Sequence, residues 1–147
     1  MKLIKSTQHI DFYTPDIDSE LSLPLAEGIK AGFPSPAQDY IDISFDLNKE
    51  LVKNPSSTFY GRVRGNSMVD AGINDGDILV IDKSISPTDG KKAVCYIDGE
   101  FTIKTLNVTK NGIFLMPANP EYKPIKVTDE NDFVVWGIVT FVIHRLQ

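Results

Sequence analysis

Cysteine and histidine are scarce in this chain: its 147 residues include one cysteine, Cys95, and two histidines, His9 and His144. A lone cysteine excludes an internal disulfide, and two imidazoles far apart in sequence leave a cysteine-based zinc site without ligands. Cys95 lies in the apolar run AVCYI and reads as a buried strand residue rather than a reactive thiol. The histidines read as structural. Clustered positive charge is also lacking: 15 Lys and Arg stand against 20 Asp and Glu, a net charge of −5, with no basic run longer than two. No stripe exists for phosphates to follow, so direct nucleic-acid binding is not expected. Long apolar runs are missing too. The amino-terminal MKLIKSTQHIDFY holds no stretch of signal-peptide length, and no segment approaches the about 20 apolar residues that cross a bilayer. A cytoplasmic location is expected, and nothing calls for a cofactor or a metal.

What is present has the length and the ordinary apolar and charged content of one globular domain plus a tail. Residues 1–38 have mixed polarity and are punctuated by proline in YTPDID, LSLPLAEG and GFPSPAQD, which discourages helix. They read as an extended amino-terminal arm, with the folded domain at 39–147. After Tyr40 a short strand gives way to a helical turn over Leu47 to Val52, with Asp46 as cap and Pro55 as stop. Then come TFYGRVRG, DILVIDK, KAVCYI, EFTIKTLNV, GIFLMPA, PIKV and DFVVWGIVTFVI, rich in β-branched and aromatic residues and separated by turn residues. Asp98-Gly99 and Asn111-Gly112 are hairpin-turn signals. The fold class is mostly β, built of antiparallel strands.

The stretch VRGNSMVDAGINDGDILVID sets Ser67 where a strand breaks into glycine-rich turns. A serine nucleophile needs a base, and the scarcity of histidine points to the other known solution, a lysine kept neutral by burial. Lys104, in EFTIKTL, shares a strand face with Thr102 and Leu106, opposite Phe101 and Ile103. Spacing alone is equally satisfied by a plainer account: Ser67 as a turn residue or the cap of a short helix starting at Met68, and Lys104 as an exposed lysine on a half-buried strand.

Five segments in order, AGFPSPAQDYID, GNSMVDAGINDGDILVID, DGEFTIKTL, LMPANPEYKPI and VVWGIVTFVI, resemble the LexA-like family of self-cleaving Ser-Lys peptidases, most closely its UmuD-type members, from Ala31 onward. The resemblance implies that Ser67 is the nucleophile, Lys104 the general base and Ala31-Gly32 the bond cut. This follows the Ala-Gly pattern of LexA-like members rather than the Cys-Gly typical of UmuD. Backbone amides of Asn66 and Ser67 would then hold the oxyanion, with Gly65 allowing close approach of the backbone. The stretch from Gly32 to Ser67 could extend to roughly 115 Å, so reach does not limit cutting within or between subunits. The family also implies promotion of cleavage by a RecA filament on single-stranded DNA, a homodimer, and a trimmed form that serves a UmuC-type translesion DNA polymerase.

A repressor-type regulator would carry a DNA-binding helix-turn-helix of roughly 60 residues ahead of the cut. Here 31 residues precede Gly32, with three lysines, no arginine and five acids, which favours the UmuD-type reading. Two other classes stay open at this stage: a non-cleaving module that restrains a polymerase or signals to the replication clamp, and a signal-peptidase relative that cuts other proteins. The apolar stretch DFVVWGIVTFVIHRL reads either as a dimer interface or as a core strand pair, with Trp136 in the core.

Overall fold

Alternating β-branched and aromatic residues fill the second half of the chain, and the backbone follows them into strands. The computed structural model describes residues 2–15, 22–26 and 41–146. Two compact units form, Met1–Pro15 with Asn54–Gln147, and Asp16–Lys53.

In the smaller unit, β3 (Ser22–Ala26) pairs antiparallel with β4 (Ile41–Asp46), after which α1 (Leu47–Leu51) makes one helical turn. Asp46 caps that turn by accepting from the Asn48 N–H at 3.0 Å, as its position in the sequence implied. Pro55 does not extend the helix and opens a separate 3₁₀ turn, Pro55–Ser57.

The larger unit is one antiparallel sheet. Its strands are β1 (Lys2–Ser6), β2 (Ile10–Thr14), β5 (Thr58–Val63), β6 (Ile78–Asp82), β7 (Lys92–Ile97), β8 (Glu100–Thr109), β9 (Gly112–Met116), β10 (Ile125–Lys126) and β11 (Phe133–Ile143). Their order across the sheet is β1-β2-β5-β6-β11-β7-β8-β9-β10, and the mostly β, antiparallel class read from the sequence is the class observed. Ile10, Phe12, Val63, Met68, Leu79, Ile81, Val94 and Ile103 pack as one core cluster; Ala93, Cys95, Ile97, Leu106, Leu115 and Ile138 form a second.

The last strand joins the two halves of the sheet. The first half of β11 pairs with β7, Phe133 opposite Ile97, and its second half with β6, Ile143 opposite Ile78. Ile138 is paired on both sides, and a bulge interrupts each register, between Val135 and Gly137 and between Val139 and Phe141. Trp136 packs against Phe12 and Phe59 with ring centroids 4.6 and 5.1 Å away, so the core reading of this residue holds.

The structure differs from the sequence expectations in two places. Part of the segment read as an extended arm, residues 1–38, lies in the main sheet: β2 is an inner strand opposite β5, with Ile10 and Phe12 buried, and β1 covers its outer edge. The physical reason is the apolar alternation of Ile10 and Phe12, which finds its partner strand far away in the chain. The turn after β8 is also shifted by one residue: Lys110 and Asn111 form it, and Gly112 already pairs with Thr109. At Asp98-Gly99 the signal was accurate. Both residues have positive φ, +49° and +90°, as a two-residue hairpin turn of this hand requires.

Candidate active site

Ser67 follows the end of β5, in a loop that turns at Gly65, whose φ of +97° is a conformation that residues with side chains rarely adopt. The Asp75 carboxylate accepts from the Gly65 N–H at 2.9 Å. On the other side Met68 is buried in the core, and its carbonyl accepts from the N–H groups of Ala71 and Ile73. The loop is thereby pinned at both ends while Ser67 stays half-exposed. A 3₁₀ turn, Val69–Ala71, starts beyond it with Met68 in the cap position and no side-chain cap bond, so Ser67 is not the helix cap that its neighbours allowed.

Lys104 comes from mid-β8, where its backbone is opposite Ala93. That register puts it on the same face as Ala93, Cys95 and Leu106, three members of the second core cluster, and the lysine is only 6% exposed. The exposed-lysine reading is thus overturned. Burial pushes its ammonium below the usual lysine range, because desolvation disfavours the charged form. Burial drives the Cys95 thiol the opposite way, up to about 12, so at neutral pH it carries no negative charge to offset an ammonium. Among the described residues no carboxylate lies within ion-pair distance of Lys104. The Tyr122 ring covers its amine, with the centroid 6.0 Å from Nζ.

A groove of about 270 Å³ is lined by Ser67, Lys104, Thr102, Tyr122 and His9 together. The two candidate catalytic side chains, 37 positions apart in the chain, therefore face one cleft. Among the described residues the N–H groups of Asn66 and Ser67 have no acceptor, leaving them available to a ligand in that cleft. Ala31 and Gly32 lie outside the described residues.

Three residues of the site were not read as functional from the sequence. Asn119, 6% exposed, fastens the serine loop: its Nδ2 donates to the Asn66 carbonyl at 3.0 Å, and its backbone N–H donates to the Ser67 carbonyl at 3.0 Å. Tyr122 donates its hydroxyl to the Asn66 side-chain Oδ1 at 2.9 Å. His9, read as structural, belongs to the groove wall. The segment LMPANPEYKPI carried the first two, but their reach back across more than fifty residues leaves no local trace. The other histidine, His144, pairs through Nδ1 with the buried Asp77 carboxylate at 2.6 Å.

Comparison with known proteins matches residues 24–140 to the Peptidase S24-like family. Among curated relatives, protein SamA of Salmonella typhimurium is 40% identical over 121 residues, covering 82% of this chain and 84% of that protein. Protein ImpA of Escherichia coli is 38% identical over 140 residues, covering 90% and 91%. Protein MucA of Escherichia coli is 42% identical over 113 residues, covering 76% and 77%.

Proposed function

Because this chain belongs to the Peptidase S24-like family, in company with UmuD-family relatives, we propose that it is a self-cleaving serine peptidase that works in SOS mutagenesis. The observation that carries the reading is the meeting of Ser67 with a buried lysine in one groove, where no carboxylate holds that lysine in its charged form.

In this reading neutral Lys104 Nζ takes the proton of Ser67 Oγ as the oxygen attacks the carbonyl carbon of Ala31. Negative charge develops on the Ala31 oxygen, toward the backbone N–H groups of Asn66 and Ser67. The C–N bond to Gly32 then breaks as the Lys104 ammonium returns its proton to the departing amine. Water hydrolyses the remaining ester on Ser67, releasing the Ala31 carboxylate. A filament of RecA on single-stranded DNA promotes the cut, and the trimmed chain, as a homodimer in the cytoplasm, serves a UmuC-type translesion polymerase. The dimer reading draws support from β11, where Phe141, Val142 and Ile143 are exposed and, among the described residues, pair with β6 alone.

The test is intact-mass analysis of the purified chain after incubation with RecA, single-stranded DNA and nucleotide, beside Ser67→Ala. A product beginning at Gly32, absent from the variant, is expected. An uncut chain, even at alkaline pH, would overturn the assignment.

A further inference from the structure

The bond proposed to be cut lies between β3 and β4, so everything before it, β1 and β2 included, belongs to the amino-terminal product. Yet β2 is an inner strand. Ile10, Asp11, Phe12 and Tyr13 are opposite Val63, Arg62, Gly61 and Tyr60 of β5. Ile10 and Phe12 are 0% and 1% exposed, and the Phe12 ring packs on Phe101 and Trp136 with centroids 5.1 and 4.6 Å away. Polar contacts reinforce this seat. Arg64 donates through its side chain to the Thr7 carbonyl at 2.9 Å and to the Asp11 carboxylate, and through its backbone N–H to the His9 carbonyl at 2.7 Å. In the smaller unit the same product carries β3, which is paired with β4 on the far side of the cut.

We propose that cutting Ala31-Gly32 does not release the amino-terminal product: it stays bound through the Lys2–Thr14 hairpin, which remains a non-covalent part of the sheet as a displaceable element whose later departure is a separate event. The reasoning is that a scission removes only the covalent tether, whereas strand pairing and a buried aromatic ring are what hold β2 in place. When the hairpin leaves, it bares the β5 edge and the Phe12 socket, and it takes His9 out of the groove wall beside Ser67 and Lys104. The cut protein therefore exists in two forms, nicked and stripped, and only the second presents β5 as a sheet edge.

This inference rests on the cut proposed above, and the experiment separates the two. The full chain is cut by itself in one arm. In the other, a Ser67→Ala chain with a recognition sequence for an added protease replacing residues 30–34 is cut from outside. Both are passed through native size exclusion with mass analysis, and hydrogen exchange is followed at the β2 amides. The amino-terminal product should co-elute with the body, keep protected amides over Ile10–Tyr13, and separate only in denaturant. Phe12→Ala should weaken its retention at least about 100-fold, whereas Leu3→Ala, on the exposed outer strand, should change it by no more than about threefold. Failure of self-cleavage with co-elution in the second arm would support the docked hairpin while sinking the peptidase reading. Prompt separation of the product in either arm, with loss of β2 protection, would overturn the inference.

Discussion

The side chain of Asn119 donates to the carbonyl oxygen of Asn66 across 53 positions of sequence, fixing the peptide plane just ahead of Ser67. Asn119→Ala removes that bond and leaves the Asn66 carbonyl with the Val69 N–H at 3.3 Å, while the backbone bond from residue 119 to the Ser67 carbonyl can persist. A loss of about 0.5–1.5 kcal/mol in stability is expected from the lost hydrogen bond. Self-cleavage should slow by about 10- to 100-fold as the serine loop loosens. Thermal unfolding and cleavage time courses on the same variant check both. An unchanged cleavage rate would show that the Asn119 side chain plays no part in placing the loop.

With Lys104 as the base proposed above, chemistry and stability depend on pH in the same direction. Its folded-state pKa lies below 10.5 because burial penalises the ammonium. Cleavage should therefore rise with pH and level off at a pH below that ordinary lysine value. For folding, the unfolded chain binds more protons than the native one between the lowered value and 10.5, so stability should increase with pH across that window, with the full penalty present below it. Lys104→Met should remove this dependence, abolish cleavage and stabilise the fold at neutral pH by about 1 kcal/mol or more. Denaturant titrations from pH 7 to 10.5 on both proteins read the difference.

Asp82 works in the opposite sense, at the other end of the pH scale. Burial pushes its carboxyl up, but hydrogen bonds from Asn54, Ser57 and both the backbone and hydroxyl of Ser84 outweigh it and hold the pKa at about 2, below the ordinary 3.8. A depressed acid contributes stability above its unfolded value and loses it as pH falls through the folded one. The shift corresponds to about 2 kcal/mol, present near neutrality and lost between about pH 4 and 2. Asp82→Asn should be less stable at pH 7 and flatter over that acid window, as followed by thermal melts.

Gly137 shows how closely β11 fits its neighbours. A Cβ at this position would lie 2.5 Å from the Cγ2 of Ile81, which is fully buried. Gly137→Ala should destabilise by about 1–3 kcal/mol through overpacking. Combined with Ile81→Ala it should cost less than the two single changes added, because the shortened side chain no longer meets the new methyl. A double-mutant cycle in urea measures that coupling.

The sequence made the strands legible where alternation and turn chemistry agree, as in KAVCYIDGEFTIKTL, where Asp98-Gly99 fixes the register and with it the face on which Lys104 lies. Asp46 marked its helix for the same reason, since a cap acts on the next residues. What escaped was non-local. Asn119 and Tyr122 act on a loop more than fifty positions away. Strand β2 draws its order from β5, and its own five residues, next to Pro15, carry little signal without that partner. Ser67 and Lys104 became a candidate pair through the motifs around them, while their shared groove and the burial of the lysine belong to the folded chain.

The position of β11 between β6 and β7 bears on the order of events during synthesis. Ser67 lies between β5 and β6 in one half of the sheet, and Lys104 lies in the half that contains β7 and β8; the strand that unites those halves comes after both in the chain. A ribosome-bound chain still lacking Phe133–Ile143 has its serine and its lysine but no completed sheet to bring them together. The sheet that carries both is completed only once β11 has emerged, so in the proposed peptidase reading the full groove is a late product of synthesis.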